Sequence, residues 1–310
     1  MRKLLALSLI LGIPVGYFFT DQFVLKNQIN EEIISVEKGD TIKKIYDKYN
    51  FNYTILDKIF LKLNPKLSNL KEGMFKFENT NISKFELLNG LQKPYIDNVI
   101  LTIPEGFTQK QVFARLEKLG LATEEEMLNA LNSVDFPYYH EKDNYDGYLY
   151  PETYLIPRGT KPSQIAETIL NEFLKQFPSE DYPDKKKFYD DIKLASIVEF
   201  ETGELEHKAK VAGVFKKRLR INMLLQSDAT LKYELGRMAY KKELMESNSL
   251  YNTYKHKGLP PTPICSPSKE TITETINAKE DKYLFFFMDG ENTYYSETHD
   301  EHLRKRRSIK

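Results

Sequence analysis

Leu194-Ala195-Ser196-Ile197-Val198-Glu199-Phe200-Glu201-Thr202 is the stretch on which the reading of this chain turns. Its apolar residues recur at helical spacing and Gly203 supplies a stop, which predicts a helix over residues 192–202. Two carboxylates lie at its end. At about 100° per residue, Glu199 shares a face with Phe188, Ile192 and Ala195, and Glu201 shares one with Leu194, Ile197 and Val198. Each acid falls on a partly apolar face, and periodicity does not choose between them. Desolvation disfavours a charged carboxylate and raises its pKa, which suits a general acid working near neutral pH. Two solvated glutamates at a fraying helix end fit the same spacing.

Working outward, residues 162–177 carry a helical pattern (Ile165, Ile169, Phe173), and residues 178–187 read as a polar, proline-bearing break. Upstream lies an aromatic loop, Asp146-Gly147-Tyr148-Leu149-Tyr150-Pro151-Glu152-Thr153-Tyr154. Downstream, a helix is predicted over residues 205–220, with Val211, Val214, Phe215 and Arg218 along one side. Such an arginine either snorkels or pairs with a buried acid. Ser227 or Asp228 can cap the helix that Gly236 ends; equally, Gln226 and Asp228 have the groups that bind sugar hydroxyls. Tyr251-Asn252-Thr253-Tyr254 precedes Gly258-Leu259-Pro260-Pro261-Thr262-Pro263-Ile264, a rigid extended loop. Residues 283–288 form an apolar strand that turns through Asp289 and Gly290 into a hairpin partner, Thr293–Ser296.

The first third has a different grammar. Residues 33–36 are β-type, Gly39 supplies a turn, and Asp40 or Thr41 can cap a helix marked by Ile42, Ile45, Tyr46 and Tyr49. A second helix pattern, Leu56, Ile59, Phe60 and Leu63, ends at Asn64-Pro65, and residues 74–77 form a second strand. Gly39 and Thr41 have counterparts in Gly106 and Thr108, after a strand over residues 99–103. The pattern is either a degenerate second copy or a common strand-to-helix turn.

Composition bounds the rest. At ~150 residues per domain, 310 residues make about two domains. One cysteine, Cys265, rules out an internal disulfide, and no Cys/His spacing marks a metal site; His299 and His302 have no third ligand in view. Lys+Arg and Asp+Glu both total 45, so the electrostatic footprint of a nucleic-acid binder is missing. No glycine-rich phosphate loop or Schiff-base lysine site is recognisable, so no cofactor is expected. Membrane character is confined to the start: Arg2 and Lys3, an uncharged run from Leu4 to Phe19, then Asp21. That order fits an uncleaved N-in anchor better than a cleaved signal, because no small-residue cleavage pattern follows.

Two resemblances follow from these residues. Val36, Gly39, Asp40, Thr41 and Ile45, with Leu63-Asn64-Pro65 and Leu70-x-x-Gly73, resemble a LysM module, which implies a βααβ fold and a ligand containing N-acetylglucosamine. The 194–202 stretch, Lys210-Val211-Ala212-x-Val214-Phe215-x-x-Arg218-Leu219, Met223-x-Leu225-Gln226-Ser227-Asp228-x-Thr230, Tyr251–Tyr254 and the proline loop resemble the YceG-like family. Phe200, Ala229, Cys265-Ser266-Pro267-Ser268 and Thr293 depart from its usual pattern. This second resemblance implies an endolytic lytic transglycosylase that cuts the β-1,4 bond between N-acetylmuramic acid and N-acetylglucosamine, leaving 1,6-anhydro ends. It implies Glu199 as the catalytic acid, Glu201 and Arg218 as supporting groups, and Gln226, Ser227, Asp228, Tyr251, Asn252 and Tyr254 as substrate-binding groups. The expected architecture is α+β: an anchor and linker (1–28), a small LysM-like domain (29–95) and a mixed α/β catalytic domain (96–310, with an upstream subdomain 96–180 and a core 181–310) whose glutamate rides on a helix. The expected setting is single-pass in the cytoplasmic membrane with the catalytic domain outside; the partners are glycan strands, the membrane and peptidoglycan synthases. The alternative is a non-catalytic peptidoglycan-binding scaffold.

Overall fold

The computed structural model describes residues 16–290 and 292–309. Most of the apolar run, residues 4–15, lies outside the described residues, and among these no helix is long and apolar enough to cross a membrane. The chain divides into two compact units, Met1–Asp97 and Asn98–Lys310. All strand pairs are short and antiparallel, so helices carry most of the architecture.

In the first unit, α1 (residues 16–19) runs into a π-helical turn, Thr20–Val24. Then follow β1 (Lys26–Gln28), β2 (Ile33–Val36), α2 (Ile42–Lys48), α3 (Ile55–Leu63), a short α4 (Pro65–Ser68), β3 (Gly73–Lys76), β4 (Asn81–Ser83) and α5 (Lys84–Gly90). β2 pairs with β3 from Ile33↔Lys76 to Val36↔Gly73, and β1 pairs with β4. The strand–helix–helix–strand order read from the sequence is present, with α4 as an extra turn and β1–β4–α5 flanking it. Thr41 accepts from the Lys44 amide, and Thr54 and Ser83 form capping boxes with Asp57 and Glu86, each worth about 1 kcal/mol. Ile34, Ile45, Tyr46, Phe75, Leu87 and Leu88 fill the core.

The second unit begins with the same order: β5 (Asn98–Thr102), α6 (Gln109–Lys118), α7 (Glu124–Ser133) and β6 (Thr153–Pro157), with β5 and β6 paired from Asn98↔Pro157 to Thr102↔Thr153. Gly39 and Gly106 both take positive φ, +90° and +75°, where a β-carbon is strained. Both segments thus share this element order and a glycine turn before the capped helix. Then come α8 (Pro162–Gln176), α9 (Lys185–Glu201), α10 (Leu205–Arg220), α11 (Asp228–Leu235), α12 (Lys241–Glu246), α13 (Lys269–Asn277), the hairpin β7 (Phe285–Asp289) and β8 (Asn292–Ser296), and α14 (His299–Ile309).

Helix α9 organises this unit. It starts seven residues earlier than the apolar pattern indicates, because Asp184 caps it by accepting from the Lys187 amide at 2.9 Å while its lysine-rich first turn faces water. Phe188, Tyr189, Ile192 and Ala195 enter one core, an aromatic stack with Tyr138, Tyr148 and Phe173; Leu194, Ile197 and Val198 enter another, with Val211, Val214, Phe215 and Leu225. The helix is buried on both sides, which explains why both faces looked apolar. Ser196, on α9, accepts from the Ile264 amide at 3.0 Å and so docks the proline loop. The final hairpin begins two residues later than the apolar run, at Phe285, and its strands are only partly buried.

Candidate active site

The two glutamates ending α9 occupy different environments. Glu201 is half-buried. Ser227 donates to its Oε1 at 2.5 Å, and this is the carboxylate's hydrogen bond among the described residues. Burial pushes the Glu201 carboxyl above its usual range; the Ser227 bond opposes the shift, Asp228 adds to it, and Arg218 opposes it. Ser227 sits at the start of α11, yet its hydroxyl does not cap that helix: it serves Glu201 instead. Asp228 and Gln226 flank it, both exposed. Gln226 takes a left-handed backbone, φ +55°, unusual for a residue with a β-carbon and held by its amide donating to the Thr253 carbonyl at 3.1 Å. Tyr254 donates its hydroxyl to Asp228 Oδ1 at 2.6 Å.

Arg218 is buried, at 6% exposure, and therefore does not snorkel. Its guanidinium donates to the Leu225 carbonyl at 2.6 Å and the Leu284 carbonyl at 2.7 Å, tying the Gln226 loop and the final hairpin to α10. Asn252 is wholly buried: its amide donates to the Leu244 and Ser247 carbonyls and its oxygen accepts from the Tyr254 amide, so its polar atoms are spent on the loop. Tyr251 bonds Thr262 at 2.8 Å and packs its ring 5.3 Å from that of Tyr233. Glu201, Gln226, Ser227, Asp228 and Tyr254 are thus brought together, with Asn252 beneath them.

Glu199 belongs to another cluster. Its Oε2 accepts from the Ser268 amide at 3.0 Å, from the Ser268 hydroxyl at 3.1 Å and from Thr271, and Lys208 Nζ lies 3.6 Å from Oε1. Ser268 caps α13, so the carboxylate meets the positive end of that helix. Lys208, itself buried, also donates to Thr271 at 2.6 Å. The hydrogen-bond partners of Glu199 are all donors and its ion-pair partner is a cation, while the Glu105 carboxyl is raised first by its own burial and then by the charge of Glu199: the arrangement of a carboxylate that clamps α9, α10 and α13 together. Sequence reasoning missed Lys208 and Thr271; Ser268-x-x-Thr271, a capping spacing, was the available signal.

A third acid was also missed. Asp146 is 2% exposed and accepts from Tyr233 at 2.6 Å and the Gln109 amide at 2.6 Å. It borders a cavity of about 790 Å³, also lined by Gly106, Asn144, Phe200 and Lys232. Burial raises its carboxyl to about 6, against the pull of its donors. A carboxyl raised from 3.8 to about 6 favours the folded state fully below the lower value and loses that contribution as pH rises through the upper one. Unfolding measured in urea is therefore expected to show the wild-type chain losing up to ~3 kcal/mol relative to Asp146→Asn between about pH 4 and pH 7. Parallel pH profiles for the two proteins refute this.

In the first unit, Asp40, Thr41, Tyr53, Lys62, Asn69 and Leu70 border an open cavity of about 500 Å³ between the loop after β2 and the loop before β3.

The YceG-like family's sequence profile matches residues 34–308. The chain belongs to the YceG-like family. Among similar proteins, the endolytic murein transglycosylase of Streptococcus pneumoniae is 28% identical over 94% of this chain, and that of Bacillus subtilis is 30% identical over 63%. This YceG-like chain spans 57% of the length of each relative. A crystal structure of a yceG-like protein from Listeria monocytogenes matches 88% of this chain and 98% of its own, with a TM-score of 0.58 and 26% identity.

Proposed function

We propose that this chain is an endolytic peptidoglycan lytic transglycosylase that cuts the β-1,4 bond between N-acetylmuramic acid and N-acetylglucosamine, with Glu201 as its acid and base. The observation that carries this is the pairing of a desolvated carboxyl with sugar-binding groups, the exposed Gln226 and Asp228 and the half-buried Tyr254, in a chain similar to named murein transglycosylases. The Ser227 hydroxyl occupies Oε1, so Oε2 is the oxygen that carries the proton. Protonation of the bridging oxygen breaks its bond to the muramic C1. The carboxylate so formed then takes the proton of the muramic 6-hydroxyl while O6 closes on C1. One carboxyl serves both steps and ends protonated, whereas most glycosidases need a pair. Arg218 near the carboxylate stabilises it between the steps.

The resemblance assigned this role to Glu199. The donors around Glu199 suit a structural role better, and the groove candidates gather around Glu201.

The rest of the reading concerns setting. The first unit is proposed as a LysM-like module holding N-acetylglucosamine-containing glycan in its 500 Å³ cavity, residues 4–19 as a single-pass anchor in the cytoplasmic membrane with both units outside, and peptidoglycan synthases as partners. The test is digestion of purified sacculi by the full chain. Mass spectrometry should find new 1,6-anhydromuramic ends inside strands. Binding without release supports the scaffold reading, and reducing ends in place of anhydro ends mean hydrolysis; either overturns the proposal.

A further inference from the structure

Helix α3 leaves an apolar edge uncovered. Ile55, Ile59 and Leu63 succeed one another at i, i+4 and i+8 and are 75%, 52% and 75% exposed, while Leu61 on the same helix is buried in the core. A soluble unit has no reason to present such an edge to water. Two contacts show what the edge lies beside. Gln22 donates to Asp57 in the first turn of α3, and the Phe18 ring packs on that of Phe60, 5.6 Å between centroids, in its last turn. Contacts that step back along the 16–24 segment step forward along α3, so the two run antiparallel. Leu63 therefore lies beyond Phe60 in the direction of Gly16, the first described residue. Tyr17 and Phe19 are themselves 55% and 58% exposed. Lys66 borders the edge with positive charge.

We propose that this edge rests on the leaflet of the membrane. Ile59 and Leu63 lie in the boundary between headgroups and acyl chains, and Lys66, exposed just past the end of α3, extends to anionic phosphates, as on an interfacial amphipathic helix. The inference builds on the anchor reading of residues 4–19. Its consequence is that the first unit is not hung on a free tether. The segment leaving the membrane is held by Asp21 pairing with Lys84, both buried, and a second contact through α3 fixes the unit's height above the lipid.

The test uses the full chain in vesicles of phosphatidylcholine and phosphatidylglycerol. Single cysteines are placed by Ile59→Cys, Leu63→Cys, Phe19→Cys and Asp47→Cys in a Cys265→Ala background and labelled with an environment-sensitive dye. Asp47 is the aqueous control, because the Asn27 side chain donates to the Asn50 carbonyl and so puts the end of α2 beside β1, at the other end of the segment. Dyes at 59 and 63 should shift to the blue and be quenched by lipids brominated near the headgroup, while that at 47 should do neither. If the chain floats with the vesicles and the dye at 19 is quenched but those at 59 and 63 behave like 47, the proposal fails and the anchor stands. If the dyes at 59 and 63 shift to the blue without lipid quenching, in proportion to protein concentration, a second copy covers the edge and the proposal fails. A chain that does not float overturns both.

Discussion

Glu201→Gln is expected to abolish release of anhydro ends from sacculi, with a loss of about 10²–10⁴-fold or more, the usual contribution of a positioned acid–base group. Glutamine preserves the shape and can still accept from Ser227, so folding should be unchanged and the loss is chemical. Glu199→Gln is the informative comparison. It removes the charge that faces Lys208, yet leaves the Glu201 cluster intact. That variant should unfold at a lower denaturant concentration, because a buried lysine loses its counter-charge, while folded protein keeps most of its turnover. The readouts are anhydro-end counts per folded molecule and urea midpoints for both variants. An active Glu201→Gln with a silent but stable Glu199→Gln reverses the assignment made here. Burial raises the Glu201 carboxyl, so the alkaline limb of the wild-type rate profile should lie above the pH at which ordinary carboxylates have ionised.

Lys84→Met should produce the largest loss of stability. Lys84 is 2% exposed, and its ammonium meets Asp21 and, at 3.2 Å, Asp57, which also receives Gln22. Removing the cation strands two carboxylates in the interior, a change that costs about 3–5 kcal/mol. Since each 1.4 kcal/mol is about tenfold, amide hydrogen exchange within residues 26–91 should accelerate by at least ~10²-fold, while helices α9 and α10 keep their protection. Adding Asp21→Asn and Asp57→Asn should recover much of the loss, because an uncharged interior no longer needs the lysine. Unchanged exchange in the single variant contradicts the account.

The sequence carried much of this. The βααβ order, the cap at Asp40 or Thr41, and helix α10 to the residue were legible because caps, turns and amphipathic faces are local. The start of α9 was not, since its first turn is all lysine and shows no apolar period. Asp21 read as a charge closing an apolar run; its burial depends on a lysine 63 residues away.

The pair of glutamates marks the boundary most sharply. By itself the sequence determined that two acids end a helix with apolar residues on both faces, that sugar-binding residue types follow in a fixed order, and that its single cysteine can form no internal disulfide. Only the tertiary structure decided which acid keeps which company. The environment of a carboxylate is set by what is packed against it: α13 and Lys208 arrive on one side of α9, and Ser227 and the Gln226 turn arrive on the other, from positions 9 to 72 residues along the chain. No helical period encodes that distinction, because both faces of α9 are inside.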